Sequence, residues 1–351
     1  MPLGTAFTLM VSSVSSCIRQ APLNPEADIE VFELSNGDMT GKTVIDQVNR
    51  KIQLYLTHDA FNRGVAPVIT VSAGAHIRPA SGDSIRPQDG AVVYTVVSQN
   101  GANSKQYVVE LVNVGNWNFN FENWGLQAED GYEFPLEADG VEIWTSGNPG
   151  VAFAGVAKQP DAYPTRSTTE AYSGSKSAEL VTIKGTLLSE FVGAYIFSGS
   201  LFLGTFNASQ ALANPLKATE FGQPYIGLPK SFKGYYKYLP GPVFQDEHKN
   251  PVPGRTDECA VYAVLFEGPE RLNATNIHTS DKVIAMAALT DGTAKANYTG
   301  FNIPFVFKNG KEVSSKNLMM AIVASSSKEG DYYRGAIGSR LLLDSLVIIP
   351  Q

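Results

Sequence analysis

Carboxylates are the side chains of this chain best suited to catalysis, and several lie close together in its second half. Two carboxyl groups facing one cleft could serve as acid and as base or nucleophile in glycoside hydrolysis. None of them lies in a catalytic motif, and a solvated charged turn is the favoured explanation of the first two, which lie near Lys249 and Pro251. We therefore predict no catalytic residue. The five carboxylates are Asp246, Glu247, Asp257, Glu258 and Asp331.

Aromatic side chains form the second group, because a flat ring can stack on a sugar and leave an edge for polar contacts. Trp144 opens the segment Trp144–Thr145–Ser146–Gly147–Asn148, whose small polar groups could orient a ligand. Packing in the core is the alternative for every ring. If Trp144 stacks on sugar, its replacement by alanine should abolish binding and leave the melting temperature nearly unchanged. The predicted carbohydrate-binding residues are Trp144, Tyr235, Trp124, Tyr333 and Asn148, and Tyr332 is a further aromatic candidate.

The segment 231–241, SFKGYYKYLPG, organises this interpretation. It is aromatic and ends in Pro–Gly, as expected of a strand followed by a turn. Side chains alternate along a strand, so one face carries Phe232, Gly234, Tyr236 and Tyr238. The other face places Tyr235 between two lysines, where it could meet water or a polar ligand.

Composition excludes several classes of protein. The 351 residues carry a net charge of −7, which argues against non-specific nucleic-acid binding. The chain has no apolar run long enough for a transmembrane helix and no long 3.6-residue periodicity. His248 and His278 lack metal-ligand spacing, and phosphate-binding, dinucleotide-binding and serine-nucleophile motifs are absent. Short apolar runs between Gly and Pro predict an all-β protein.

The first seventeen residues resemble an export signal rather than folded structure. An apolar core, 6–11, precedes small residues and the sequence Val14–Ser15–Ser16–Cys17, which resembles a bacterial lipobox. We predict lipidation at Cys17, with a plain N-terminal tail as the alternative. Cys259 is then a small buried residue, although a disulfide with Cys17 is also conceivable in an exported protein.

Two β domains are predicted after a linker at 18–27. The first, 28–113, has strand patterns near 51–56, 65–71, 91–98 and 107–111, a spacing that suits an Ig-like β-sandwich. The second, 114–351, has about nine strand patterns, which suggests a two-sheet jelly roll. Its predicted strands include 177–183, 200–206, 260–266, 283–289, 301–307, 318–324 and 341–349.

Motifs in the second domain resemble a known family. In order, they are Phe121–Glu122–Asn123–Trp124, 144–150 (WTSGNPG), 201–206 (LFLGTF), 233–238 (KGYYKY) and 335–339 (GAIGS). Together they are similar to the putative carbohydrate metabolism domain family, β-sandwich surface proteins of glycan-using bacteria. The first domain resembles the Ig-like modules that precede glycan-handling domains in surface lipoproteins of gut bacteria. The resemblance implies association with sugar and does not establish hydrolysis.

The family's fold is also similar to galactose-binding-type jelly rolls, in which the first and last strands can be neighbours and often hold structural Ca²⁺. On that resemblance Glu122 and Asp344 are candidate calcium ligands. Asp344 lies within an apolar strand, where a bare charge would be costly, so it needs a partner. Calcium, a Lys or Arg side chain, or backbone N–H groups would each serve.

The resulting expectation is an exported, lipid-anchored protein of the outer membrane or cell surface, with the periplasmic face as an alternative. Its expected partners are a glycan and the outer membrane, and nucleic acid is not among them. Its expected function is non-catalytic carbohydrate binding in glycan capture or utilisation. The alternatives are a glycoside hydrolase with an unrecognised carboxylate pair and a structural or adhesive surface protein.

Overall fold

The computed structural model describes residues 22–34, 37–39, 43–86, 92–114, 117–137, 140, 142–207, 210, 214–308 and 318–351. Cys17 therefore lies outside the described residues. These residues form two compact units: the described parts of 1–36, 45–53 and 63–110, and those of 37–44, 54–62 and 111–351. Both are built almost entirely from antiparallel strands, which confirms the predicted all-β class. No helix in the described part of the chain is long and apolar enough to cross a membrane.

The N-terminal region contains seven strands and one short helix within its described residues. They are β1 (Ile29–Glu33), β2 (Val44–Asp46), β3 (Lys51–Thr57), α1 (His58–Arg63), β4 (Val68–Val71), β5 (His76–Arg78), β6 (Val92–Val97) and β7 (Ser104–Val114). β1 pairs with β4, and the other five form a sheet of order β2-β3-β7-β6-β5. Phe32 of β1 meets Tyr94 of β6 edge to face, with ring centroids 5.6 Å apart. The two sheets thus enclose an aromatic core as a small sandwich.

The C-terminal region continues with elements that build two large sheets. Its strands are β8 (Asn118–Phe119), β9 (Asn123–Leu126), β10 (Glu133–Leu136), β11 (Trp144–Ser146), β12 (Thr165–Thr168), β13 (Ser177–Val181), β14 (Ile183–Lys184), β15 (Ile196–Phe197), β16 (Ser200–Phe206), β17 (Thr219–Phe221), β18 (Gln223–Tyr225), β19 (Pro229–Leu239), β20 (Phe244–Gln245), β21 (Ala260–Glu267), β22 (Val283–Ala288), β23 (Lys295–Pro304), β24 (Val306–Phe307), β25 (Leu318–Ser325), β26 (Gly335–Ala336) and β27 (Arg340–Pro350). Its helices are α2 (Asn148–Ala152), α3 (Leu187–Glu190), α4 (Pro215–Ala218) and two 3-10 turns, Pro160–Ala162 and Gly330–Tyr332.

The two sheets pack face to face. One has the order β11-β16-β25-β21-β22-β24, with β17 and β18 attached, and the other has the order β12-β13-β27-β19-β23, with β8 attached. A single cluster of buried side chains, which includes Leu203, Leu265, Tyr236 and Leu343, draws on both sheets. A second cluster, which includes Phe202, Val264 and Phe266, covers the other face of the first sheet. That sheet is therefore buried on both sides, as its continuous apolar strands require.

β19 behaves as its alternation predicts. Phe232, Gly234, Tyr236 and Tyr238 are buried, whereas the side chains at 233, 235 and 237 are partly exposed on the outer face. A Cβ at Gly234 would lie 2.4 Å from a methyl carbon of Leu346, so a larger residue would require the packed side chains to shift.

A bulge in β27 sets the direction of its side chains. The pairing of β19 with β27 shifts between Lys233 and Tyr235, next to Ser345, which has a φ of 51°. One extra residue in a strand reverses the faces that follow. Leu343 and Leu346 consequently both reach the core, while Asp344 points to the outer face of the sheet.

Candidate functional site

A stack of tyrosines lies on the outer face of the second sheet. The rings of Tyr172 and Tyr235 are parallel within 13°, with centroids 3.5 Å apart. Tyr298 of β23 meets Tyr172 edge to face at 6.0 Å. The neighbouring phenol of Tyr235 raises the pKa of Tyr172. We call these three residues the tyrosine stack. Tyr172 is 47% exposed, so its ring is accessible to a ligand.

Tyr172 belongs to a loop that connects β12 to β13, which we call the presenting loop (169–176). Asp344 Oδ2 accepts hydrogen bonds from the backbone N–H groups of Tyr172 (2.8 Å) and Ser173 (3.0 Å). The hydroxyl of Tyr298 donates to the carbonyl of Glu170 at 2.7 Å. Contacts with two strands therefore fix the backbone on both sides of the exposed ring.

Glu122 holds the far end of the presenting loop. Its carboxylate accepts hydrogen bonds from the backbone N–H of Ser175 (3.0 Å) and from the Ser175 hydroxyl (2.7 Å). Desolvation of Glu122 favours the neutral acid, but the hydrogen bonds from Ser175 and Lys176 outweigh it and lower the pKa. A side chain at Gly174 would collide with this carboxylate, since its Cβ would lie 2.0 Å from Oε1.

The two predicted calcium ligands thus contact neighbouring residues of one loop. Backbone N–H groups were one of the partners of Asp344 considered from the sequence. The structure shows such N–H groups bound to both carboxylates. Among the described residues, no group of three or more His, Cys, Asp or Glu side chains could hold a metal ion. Calcium at Glu122 and Asp344 remains a prediction.

Ion pairs surround one side of the tyrosine stack. Glu170 accepts from Lys237 and, at 2.9 Å, from Arg340. These two cations lower the pKa of Glu170. Buried Glu179 pairs with Arg340 and with Arg166. Lys237, one of the two lysines that flank Tyr235, is therefore neutralised by the presenting loop.

A cleft of about 380 Å³ forms a second candidate site. We call it the acidic cleft. Glu247 and Arg334 form a bidentate ion pair there (2.6 and 2.9 Å), and Tyr332 is 63% exposed. Tyr333 has a left-handed φ of 57°, a conformation that costs a bulky residue energy. The lining residues are Leu216, Glu247, Asp331, Tyr332, Tyr333 and Arg334.

Two carboxyl groups of the acidic cleft differ in their electrostatic surroundings. The hydrogen bonds and charge of Arg334 lower the pKa of Glu247. Asp331 is accessible at the surface, but the surrounding protein desolvates its carboxyl and raises its pKa. Opposite shifts within one site are typical of an acid and a base that act together. The sequence named both residues and two adjacent tyrosines, and the structure brings them together.

Three of the predicted sugar-binding residues have structural roles instead. Trp144 is 1% exposed and packs edge to face on Phe119 at 4.9 Å, so the prediction that it stacks on sugar is wrong. Asn148 is fully buried and bridges to the backbone of Thr165, with its Nδ2 donating at 2.6 Å and its Oδ1 accepting at 3.2 Å, so it is unavailable to a ligand. Trp124 packs against the core and donates its indole N–H to the carbonyl of Phe121 at 2.7 Å.

The other three carboxylates form hydrogen bonds or ion pairs within the protein, and Asp257 and Glu258 line a separate cavity of about 390 Å³. Asp257 is buried and accepts hydrogen bonds from Ser327, Ser339 and the backbone N–H of Ala336. Glu258 pairs with Lys328 at 3.1 Å. Asp246 accepts hydrogen bonds from residues of its own turn. Cys259 is buried and forms no disulfide within the described residues, in agreement with a small core residue.

The carboxyl of Glu137 gives the fold a pH dependence. The neighbouring Trp144 lowers the pKa of this carboxyl, although its indole Nε1 makes no hydrogen bond within the described residues. Desolvation nevertheless raises the pKa of Glu137 from 4.5 to about 7. The folded state then binds the proton more tightly than the unfolded chain, so stability falls as pH rises from about 4.5 to 7.

We expect Glu137→Gln to be more stable than the wild type at pH 8, by on the order of 1–3 kcal/mol, because the variant has no charge to desolvate. Near pH 4 the two proteins should differ little in this respect, since the carboxyl is then protonated in both states. Urea unfolding at both pH values measures the difference. Glu129→Gln, at an exposed position, is the matched control. A gap between variant and wild type that stays constant from pH 4 to 8 would contradict the prediction.

Sequence reasoning missed Tyr172, the most accessible member of the tyrosine stack. The residue stands alone among Ser, Gly and Thr in the segment 167–177, and nothing local separates it from an ordinary loop tyrosine. The available signal was indirect. Tyr235 was predicted on the outer face of its strand, and a loop long enough to cover that face precedes β13.

Comparisons with known proteins agree with this architecture. The model of the putative carbohydrate metabolism domain matches residues 120–349, and the model of the SGBP N-terminal domain matches residues 29–111. A solved structure of a putative glycoside hydrolase from Bacteroides thetaiotaomicron is 34% identical, with a TM-score of 0.67 over 95% of this chain and 99% of that one. Another, from Bacteroides vulgatus, is 30% identical, with a TM-score of 0.62 over 67% of this chain and 98% of that one. No curated protein sequence matches this chain significantly.

Proposed function

Because this chain belongs to the putative carbohydrate metabolism domain family, we propose that it captures glycans at the cell envelope without cleaving them. The observation that carries this proposal is the exposed ring of Tyr172, stacked on Tyr235 and fixed by the presenting loop. Sugar rings offer apolar faces that stack on such an aromatic surface.

Preorganisation is the physical argument for binding at this position. An exposed tyrosine on a free loop would lose conformational entropy when it binds, and that loss would weaken affinity. Asp344 and Tyr298 fix the backbone around Tyr172 before any ligand arrives. Because these supporting contacts are already formed, Tyr172 can bind a ligand without further ordering of the loop.

The cellular setting of the proposal combines the family with the sequence. The N-terminal match to the SGBP domain supports an exported, surface-located glycan-binding protein. We propose attachment to the outer membrane through acyl chains on Cys17, with the N-terminal sandwich as a spacer. More than one acyl chain is needed for stable anchoring.

A glycan array tests the proposal, with the chain from Arg19 onward as the probe and an assay for released reducing sugar on every glycan bound. Binding without cleavage is the expected result. Cleavage would overturn the non-catalytic proposal. Absence of binding to every glycan would overturn glycan capture and favour a structural or adhesive protein. A pull-down without sugar would then search for a protein partner.

The acidic cleft supports a second candidate function, glycoside hydrolysis. Asp331 and Glu247 line one cleft beside two tyrosines, and their pKa values are displaced in opposite directions. In such a mechanism protonated Asp331 would donate its proton to the glycosidic oxygen, and ionised Glu247 would act on water or on the anomeric carbon. The bidentate bond to Arg334 occupies both oxygens of Glu247, which is why we place hydrolysis second. If this second function is correct, the variant Asp331→Asn should release no sugar.

A further inference from the structure

We propose that the tyrosine stack binds an acidic sugar through Lys233, whose ammonium group would pair with the carboxylate of a uronic acid residue. This inference rests on the proposed function and specifies the ligand class of the same site. It follows from the charges around the stack, which differ on its two sides.

On one side every cation that we identified is paired within the protein. Lys237 and Arg340 bind Glu170, and Arg166 and Arg340 bind Glu179. These ion pairs fasten the presenting loop and the edge of the sheet. Their charges are satisfied and offer little to a ligand.

On the other side Lys233 differs. Among the described residues it has no ion pair and no side-chain hydrogen bond, in contrast to Lys237, which pairs with Glu170. The protein as a whole carries a net charge of −7. It lies two residues from Tyr235 on the same outer face of β19, a separation of about 7 Å along a strand. The ammonium group can thus reach a substituent of a sugar placed against the tyrosines.

The cross-strand neighbours of Lys233 complete a polar row. Asn302 of β23 stands opposite Lys233, and Val347 of β27 stands opposite it on the other side. Asn118 of β8 pairs in turn with Val347. Both asparagines are exposed, and their amides can donate to and accept from sugar hydroxyls. The row therefore offers one uncompensated positive charge between two amides, beside an aromatic wall.

This arrangement favours a carboxylated sugar over a neutral one. A charge-assisted hydrogen bond between an ammonium group and a carboxylate is stronger than a neutral hydrogen bond. The neighbours of Lys233 in the row are amides and an aliphatic side chain. The carboxylate of Asp344, opposite Tyr235, is buried and accepts hydrogen bonds from the backbone N–H groups of Tyr172 and Ser173. The aromatic wall would contribute stacking to acidic and neutral sugars alike.

Isothermal titration with two matched ligands tests the inference: oligogalacturonate, which carries carboxylates, and its fully methyl-esterified, neutral form of equal length. We expect tighter binding of oligogalacturonate, weakened by added salt. Lys233→Gln should reduce its affinity at least tenfold and leave the neutral oligosaccharide unaffected. Lys230→Gln removes an equal charge at an exposed position of the same strand and is the control. Thermal unfolding verifies that both variants fold.

The outcomes separate the inference from the proposed function. Equal affinity for the two oligosaccharides, or full retention of oligogalacturonate binding in Lys233→Gln, would overturn the acidic-sugar inference and leave glycan capture standing. Equally tight binding of a sulfated galactan would show that the site recognises negative charge in general and not a carboxylate. That result would also overturn the acidic-sugar inference. Absence of binding to glycans of any class would instead overturn the proposed function itself.

Discussion

Trp144→Ala is expected to destabilise the larger unit by about 3–5 kcal/mol, since large-to-small substitutions of a buried indole leave a cavity. Trp144 is 1% exposed and contacts the rings of Phe119 and Phe121, with centroids 4.9 and 5.4 Å away. It therefore joins β11 to the segment that precedes β9. The expected fall in melting temperature is roughly 10 °C.

Differential scanning calorimetry measures this effect, and Trp144→Phe is the matched control. Phenylalanine keeps most of the ring volume, so its cost should be less than half that of alanine. From the sequence alone we expected the opposite result: Trp144→Ala would abolish glycan binding and leave the melting temperature nearly unchanged. A melting temperature within about 2 °C of the wild type in Trp144→Ala would contradict the burial described here.

Tyr172→Ala should weaken glycan binding at least about tenfold, which corresponds to roughly 1.4 kcal/mol. Central, exposed aromatic side chains carry a large share of the binding energy at recognition sites. The side chain is 47% exposed, so its removal should cost the fold little. Titration of wild type and variant with the best ligand from the array measures the loss.

Two controls locate the site on the molecule. Tyr172→Phe keeps the ring and removes only the hydroxyl, so it should retain most of the affinity. Tyr332→Ala removes an exposed tyrosine from the acidic cleft and should not affect binding at the tyrosine stack. If Tyr332→Ala abolished binding and Tyr172→Ala did not, the ligand would bind in the cleft and the assignment to Tyr172 would be wrong.

Strands were predictable from the sequence because their signals are local. The predicted segment 200–206 coincides with β16, and 260–266, 283–289, 318–324 and 341–349 agree with β21, β22, β25 and β27 to within a residue or so at each end. Alternation also gave the faces of β19 correctly. Apolar periodicity and flanking turn residues are properties of the segment itself, so they need no knowledge of its neighbours.

The start of one strand at the edge of a sheet could not be predicted from the sequence. The predicted strand 301–307 is observed as β23, which begins at Lys295, and β24. The sequence of β23 is polar, because its outward-facing side chains are largely exposed at the edge of the sheet. An edge strand needs no continuous apolar pattern, and therefore its start could not be recognised from sequence.

The sequence by itself determined the all-β class, most of the strands and the family, and it named the residues that could do chemistry. Tertiary structure decided which of them are accessible. Trp144 and Tyr235 were both predicted to bind sugar, yet Phe119 and Phe121 cover the first, while the second stacks on Tyr172 at an outer face. Tyr172 is presented because Asp344, 172 residues away, binds its backbone N–H. Burial and hydrogen-bond partners depend on contacts between segments remote in sequence, which no local pattern encodes.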